Sequence, residues 1–190
     1  MNDSFREIAS VHRSDFPNAE WAELNRWDWG WVGIQDGIVV AVLTAVEQIG
    51  GIDGLPERWA QVQIVYSRQE GFGRALLAHG ASELADDELT PRTLCRSGMA
   101  TPEGKAACED LELDPRVKQQ VQVYERRLLE WERKGRIGSP PKNPTPEYSR
   151  KDARAAGHKK LVTAALLLGL EAVEPKSDVP LDGSAGELLD

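Results

Sequence analysis

Apolar residues recur along this chain with two different periods, and the changes of period mark out its elements. Trp31–Ile34 and Ile38–Leu43 are apolar runs rich in β-branched residues on either side of Gln35-Asp36-Gly37. Asp-Gly between two such runs predicts a β-hairpin, because its second residue tolerates positive φ. The second strand extends toward Val46 or Ile49, and Gly50–Pro56 reads as a loop. Gln61–Tyr66 predicts a third strand. From Phe72 to Ala85 the spacing of Leu76, Leu77 and Leu84 becomes helical, and Thr93–Arg96 returns to a short strand. Thr101 is a good cap for a helix from Pro102 to about Leu111, with proline at its first position and Glu103 in its first turn. Upstream, Asn18–Arg26 is a short helix candidate with Trp21 and Leu24 on one side.

Beyond residue 113 the pattern changes. Val117, Val121, Tyr124, Leu128 and Trp131 follow one another at intervals of four and three, the stripe of a long amphipathic helix. Asp114 is its expected cap and Gly135 its stop. Four prolines fall within residues 138–146, which predicts a stiff linker over 136–148. Ser149 opens a last helix to Leu170, and Glu171–Asp190 reads as a loose acidic tail. The plan is therefore a core over 1–113, an amphipathic helix over 114–135 packing on it, a linker, and a C-terminal helix with its tail over 149–190.

Composition adjusts this picture in two places. The chain has 190 residues, 41% of them hydrophobic, enough for a real core and too many for a wholly disordered chain. Its net charge of -8 is unevenly spread: residues 1–115 carry 20 acidic and 9 basic side chains, residues 116–160 carry 5 and 13. An acidic body makes nucleic-acid binding an unlikely main task, and acidic residues interleaved in the basic segment favour surface pairing there. No run approaches the ~18 apolar residues of a membrane span, and the polar N-terminus does not support export. Two cysteines, Cys95 and Cys108, make neither a disulfide framework nor a zinc site, so a reducing, cytoplasmic setting is expected.

The stretch that carries chemistry is strand, then Arg68-x-x-Gly71-x-Gly73, then helix. Glycines let a ligand approach the backbone, and the free N–H groups of the helix N-terminus point at the same place, so the turn suits a pyrophosphate. Arg68 and Arg74 are natural phosphate partners beside it. The chain has neither the Gly-Lys-Ser/Thr of a P-loop nor the G-x-G-x-x-G of a dinucleotide binder. A bare turn before an amphipathic helix is the competing reading of these six residues.

Taken with its neighbours, the motif resembles the GNAT (Gcn5-related N-acetyltransferase) family over residues ~15–113, in the order hairpin, strand, R-x-x-G-x-G, helix, short strand, helix. Ser97–Gly104 additionally looks like GNAT-like proteins of actinobacteria and their phages. The resemblance implies an α/β fold, a mixed central sheet flanked by helices, here with an α-helical C-terminal extension. It implies acetyl-CoA as co-substrate. Gln69, Glu70, Gly71, Phe72, Gly73 and Arg74 would cradle the pyrophosphate, and Ile64, Val65 and Tyr66 would offer backbone groups to the pantetheine arm.

Two departures bear on catalysis. Where many members place Asn, a small residue and a tyrosine acid, this chain has Thr101, Gly104 and Cys108. Where they often carry a glutamate base, it has Gln61 and Gln63, which leaves Glu47 and Glu57 as substitutes. Cys108 as acid competes with a buried helix cysteine, and Glu47 as base with a surface charge. The C-terminal third also lacks the family's two closing strands. The expected function is acetyl transfer to a small-molecule or protein amine by direct attack on the thioester. The alternative is an inactive GNAT-like module that docks onto a partner, or onto its own copies, through its C-terminal helices.

Overall fold

The computed structural model describes residues 6–18, 26–49, 58–98, 100–146 and 148–174. Within them, one mixed sheet is built from β1 (Arg6–Ser10), β2 (Trp29–Gln35), β3 (Ile38–Ile49), β4 (Arg58–Ser67), β5 (Leu94–Cys95) and β6 (Glu171–Ala172). The first four strands pair antiparallel in chain order. β5 joins β4 in parallel, and β6 lies parallel to the start of β3. The described helices are α1 (Phe72–Ala85), α2 (Pro102–Asp110), α3 (Pro115–Arg133) and α4 (Arg150–Leu168). This is the α/β arrangement anticipated from the order of elements, a mixed sheet flanked by helices, with helices continuing beyond it.

The hairpin forms as its turn chemistry requires. Asp36 and Gly37 both hold positive φ, 52° and 79°, which is the two-residue turn whose twist matches the flanking strands. β3 then runs on to Ile49. β1 has only Ile8 and Ala9 partly buried and is too polar to announce itself by pattern. The expected helix over 18–26 and the loop over 50–56, with Glu57, fall largely outside the described residues.

Each face of the sheet carries its own core. On one, Trp31, Leu43, Val62 and Leu94 pack with Leu76, Leu77 and Leu84 of α1, joined by Cys108 and Leu113. On the other, Val11, Val32, Ile34, Val39 and Val42 pack against Leu161, Ala164 and Ala165 of α4. In the segment set apart as an extension on sequence grounds, α4 thus supplies the second cover of the sheet. A close approach makes this possible: a Cβ on Gly157 would lie 2.6 Å from the Tyr66 ring, so only glycine lets α4 sit on β4. The helix ends at Gly169, and Glu171 and Ala172, expected to begin a loose tail, pair with Ile38 and Val39 instead.

α3 differs from expectation in how it packs. Its first turn is buried, with the Arg116 guanidinium stacked 3.4 Å from the centre of the Trp59 ring. No residue from Lys118 to Arg133 is fully buried. The apolar stripe meets the proline-rich arm instead, which doubles back along it: Trp131 Nε1 donates to the Gly138 carbonyl at 3.1 Å, and Thr145 and Pro146 share a cavity with Val117 and Val121. The arm ends tight against the loop after β5, since a Cβ on Gly98 would meet the Pro144 carbonyl oxygen at 2.1 Å. Residues 136–146 therefore form a return strap along the amphipathic helix. Asp114 holds the N-cap position without capping; its buried carboxylate pairs with Lys118 at 3.0 Å.

Candidate functional site

The cleft begins where β5 stops. Ala60 pairs with Leu94 and Gln61 with Cys95, and there β5 ends. Beyond that point β4 continues to Ser67, paired only with β3 among the described residues. An unpaired strand edge presents N–H and C=O groups that an extended ligand can take up as an added strand would. The opening holds a cavity of about 340 Å³, with Val62, Gln63, Ile64 and Val65 along one wall and Thr101, Ala107 and Cys108 of the α2 segment along the other. Tyr148 and Ala153 of the returning chain close part of it, and Arg150 pairs with Glu103 at 2.6 Å over the same region. This side of the cleft is thus bounded by the strap and α4, in keeping with the two closing strands that the sequence lacks.

At one end of the cleft lie Gln69, Gly71, Gly73 and Arg74. Gly71 caps α1 at φ 85°, a left-handed conformation glycine adopts without strain. Gly73 is different. A Cβ there would meet only Val65 at 3.6 Å and Ser67 at 3.9 Å, ordinary contacts, so packing does not demand glycine. Alanine would favour the helix by roughly 0.5–1 kcal/mol. What glycine leaves there is room beside the first N–H groups of α1, whose first turn carries no acidic side chain to neutralise its dipole. This cradle fits a phosphate group.

The other predicted cradle residues separate. Phe72 is core: its ring lies on Gly33, where a Cβ would stand 2.2 Å from it, and Arg6 stacks on it at 5.5 Å. Arg68 and Glu70 do not line the cleft, and the Arg68 N–H donates to the Val40 carbonyl. Arg74 does line it, with its guanidinium bound 2.9 Å from Asp110 across the mouth between α1 and α2. On β4, Ile64 and Val65 border the cleft, whereas the Tyr66 ring belongs to the α4 face.

The two catalytic candidates fall in different places, Cys108 on the cleft and Glu47 away from it. Glu47 does not line the cleft. Its Oε1 accepts from Arg92 Nη2 at 2.7 Å and Nε at 3.0 Å, with Arg58 at 3.7 Å, so the carboxylate is clasped by guanidinium groups at the far end of β3. Cys108 does border the cavity, but it is 3% exposed, and burial pushes its thiol up to about 11. Passing that proton to an ordinary thiolate, with pKa near 8.5, is uphill by about 3 kcal/mol. Cys108 forms part of the cleft wall.

The structure brings forward two groups that the sequence does not distinguish. Arg96, 6% exposed, lines the cleft with its Nη1 on the Ser97 carbonyl and its Nε buried without a partner. Lys160 reaches from α4 to β4, where its Nζ donates to Gln63 Oε1 at 3.2 Å and lies 5.0 Å from the centre of the Trp27 ring. Burial, and then the neighbouring Lys159, bring its pKa down to about 8. Within a run of basic residues the two lysines look alike; only the packing of α4 separates them.

No family model matches the chain, and no curated protein matches it. Among solved structures, a ribosomal-protein-alanine N-acetyltransferase from Brucella melitensis biovar Abortus is similar at 20% identity and a TM-score of 0.39, over 56% of this chain and 90% of that one. A GCN5-related N-acetyltransferase from Ralstonia eutropha gives 16% and 0.41, over 58% and 94%. An aminoglycoside N-acetyltransferase in complex with CoA gives 12% and 0.38, over 57% and 86%.

Proposed function

We propose that this chain binds an acyl-CoA, acetyl-CoA first among them, in the cleft between β4 and β5, and passes the acyl group to an amine. One observation carries the reading: an unpaired strand edge leads directly into a glycine turn whose second glycine is not required by packing. The open edge from Val62 to Val65 would take the amides of the pantetheine arm. The N–H groups around Gly71 and Gly73, with Arg74, would take the pyrophosphate. The co-substrate supplies an activated thioester; the chain aligns it and excludes water between α1, α2 and the strap. Direct attack by the amine suits this reading, because burial keeps Cys108, the thiol on the cleft wall, protonated. A cytoplasmic setting keeps Cys95 and Cys108, both buried and free, as thiols.

A second reading, acyl-CoA binding without turnover, is favoured by the clasped Glu47 and the high pKa of Cys108. Calorimetric titration with CoA and acetyl-CoA, followed by thiol release over a panel of amines, separates the two. Ligand at 100 times its dissociation constant raises stability by about 2.7 kcal/mol in either case. Thiol release that depends on an amine selects the first reading, and binding without release the second. No binding at millimolar CoA removes both.

A further inference from the structure

We propose that the Lys160 amine is itself an acyl acceptor, a modification site on this chain served by a thioester bound in the cleft. The inference rests on the reading of that cleft as an acyl-CoA site.

The argument starts at the apex of the opening. Val62 faces Ala45 and Ile64 faces Thr44, so Gln63 is the extra, unopposed residue of a bulge. It lies just past the last residue of β4 that β5 pairs, and it lines the cleft. Its amide is fixed at both ends: Nε2 donates to the Arg26 carbonyl at 2.9 Å, and Oε1 accepts from Lys160 at 3.2 Å. The lysine is thus docked on a residue of the cleft's own wall, at the point where β4 and β5 part. Its backbone is held by the fully buried Leu161 beside it and by Gly157, one turn back, against Tyr66.

The chemistry of the group agrees with its placement. With a pKa of about 8, roughly a tenth of the amine is neutral at pH 7, against roughly three parts in ten thousand for an ordinary lysine. Neutral Nζ adds to the thioester carbonyl carbon. The C–N bond forms as the C–S bond breaks, sulfur leaves as thiolate, and the proton shed by nitrogen passes to it. The products are an amide on Lys160 and free CoA thiol. Acylation also abolishes the charge that burial penalises, so the product suits the site better than the ammonium. Lys159, its neighbour, is exposed and is the natural internal control.

The test is incubation of the full-length chain with acetyl-CoA at neutral pH, with acetylated positions mapped by peptide mass spectrometry. The expected result is a Lys160 label at least ~10-fold ahead of Lys159 in the native chain, a preference lost when the chain is denatured. Lys160→Arg removes the label and Lys159→Arg leaves it. Equal labelling of the two lysines in the native chain overturns the inference without recourse to any variant. Calorimetric titration of the same unmodified protein with CoA keeps the two levels apart. CoA binding with no preference for Lys160 sinks this inference and leaves the cleft reading intact. A Lys160 label without CoA binding reduces the group to a merely reactive lysine and overturns the transfer from the cleft.

Discussion

The two faces of the sheet are covered by helices that reach it in different ways. α1 follows directly from β4, and its face is completed by residues up to Leu113. α4 arrives only after the chain has left the sheet along α3, returned along the strap and crossed over the cleft. The first face is a product of local order, whereas the second depends on a long detour. Yet Leu161 and Ala164 are as fully buried as Leu76 and Leu77. Position late in the chain does not make an element peripheral, and the detour is also what carries Tyr148 and Ala153 to the cleft and Lys160 to Gln63 on its wall.

Removing residues 149–190 should break this comparison most severely. It would expose Val32, Val39 and Val42 together on an uncovered sheet face, and side chains of this kind are worth roughly 1.5–3 kcal/mol each on burial. Since whole domains are stable by only about 5–15 kcal/mol, the truncated chain should lose its cooperative thermal transition. A truncated chain that still melts cooperatively near the full-length temperature would show the second face to be an accessory. Leu161→Ala is the gentler version, with an expected loss of about 2–5 kcal/mol in denaturant unfolding.

On the α1 face, the corresponding experiment concerns binding more than stability. Gly73→Glu puts a carboxylate into the cradle and should weaken CoA binding at least ~10-fold, which corresponds to about 1.4 kcal/mol, by calorimetry. Gly73→Ala fills the same space without charge. It should leave the melting temperature unchanged or raised, since the added Cβ makes only ordinary contacts and favours the helix. An alanine variant that unfolds would turn Gly73 into a packing glycine and take the cradle argument with it.

The difference between the faces also explains what could be read from the sequence. The hairpin, β4, the glycine turn, α1 and the Thr101 cap are each encoded within a dozen residues, and all appear where their patterns put them. β1 was hidden because an edge strand with two half-buried residues has no strong alternation. The role of α4 was hidden for a different reason. Its basic first half resembles a solvated helix, and its apolar second half reveals nothing of which surface it covers. Within the site, Gly71, Gly73 and Arg74 were legible from their spacing. Phe72 shares that motif but turns into the core, since adjacent positions of a helix point in different directions. Glu47 looked available because its partner Arg92 lies 45 residues away.

Lys160 offers a test of intermediate size that touches both faces. Below about pH 8 the amine is protonated in the folded and the unfolded chain, and the fold bears the cost of a desolvated ammonium. Between about 8 and 10.5 the unfolded chain keeps a proton that the folded chain has released. Stability contributed by this group therefore rises with pH through that window. The buried thiols act in the opposite sense, because their raised pKa values keep protons on the folded chain. The quantity to measure is the difference between the wild-type chain and Lys160→Met. The variant should be the more stable at pH 7, with its advantage shrinking toward pH 10. A constant difference would mean that Lys160 titrates as an ordinary surface lysine.

The smallest expected effect distinguishes two helix starts that look equivalent in sequence. Thr101 and Asp114 both precede a proline that opens a helix, and either residue type can cap. Only Thr101 does so, its Oγ1 accepting from the Gly104 N–H at 3.2 Å, whereas the Asp114 carboxylate reaches forward to Lys118. Thr101→Ala should therefore cost about 1 kcal/mol in denaturant unfolding with an unchanged slope. The Thr101 cap also steadies the start of the helix that forms the second wall of the cleft. CoA binding should weaken in that variant only as far as the wall loosens, well short of the loss from Gly73→Glu. A larger loss of affinity than Gly73→Glu produces would move the principal contacts of the ligand from the glycine turn to α2.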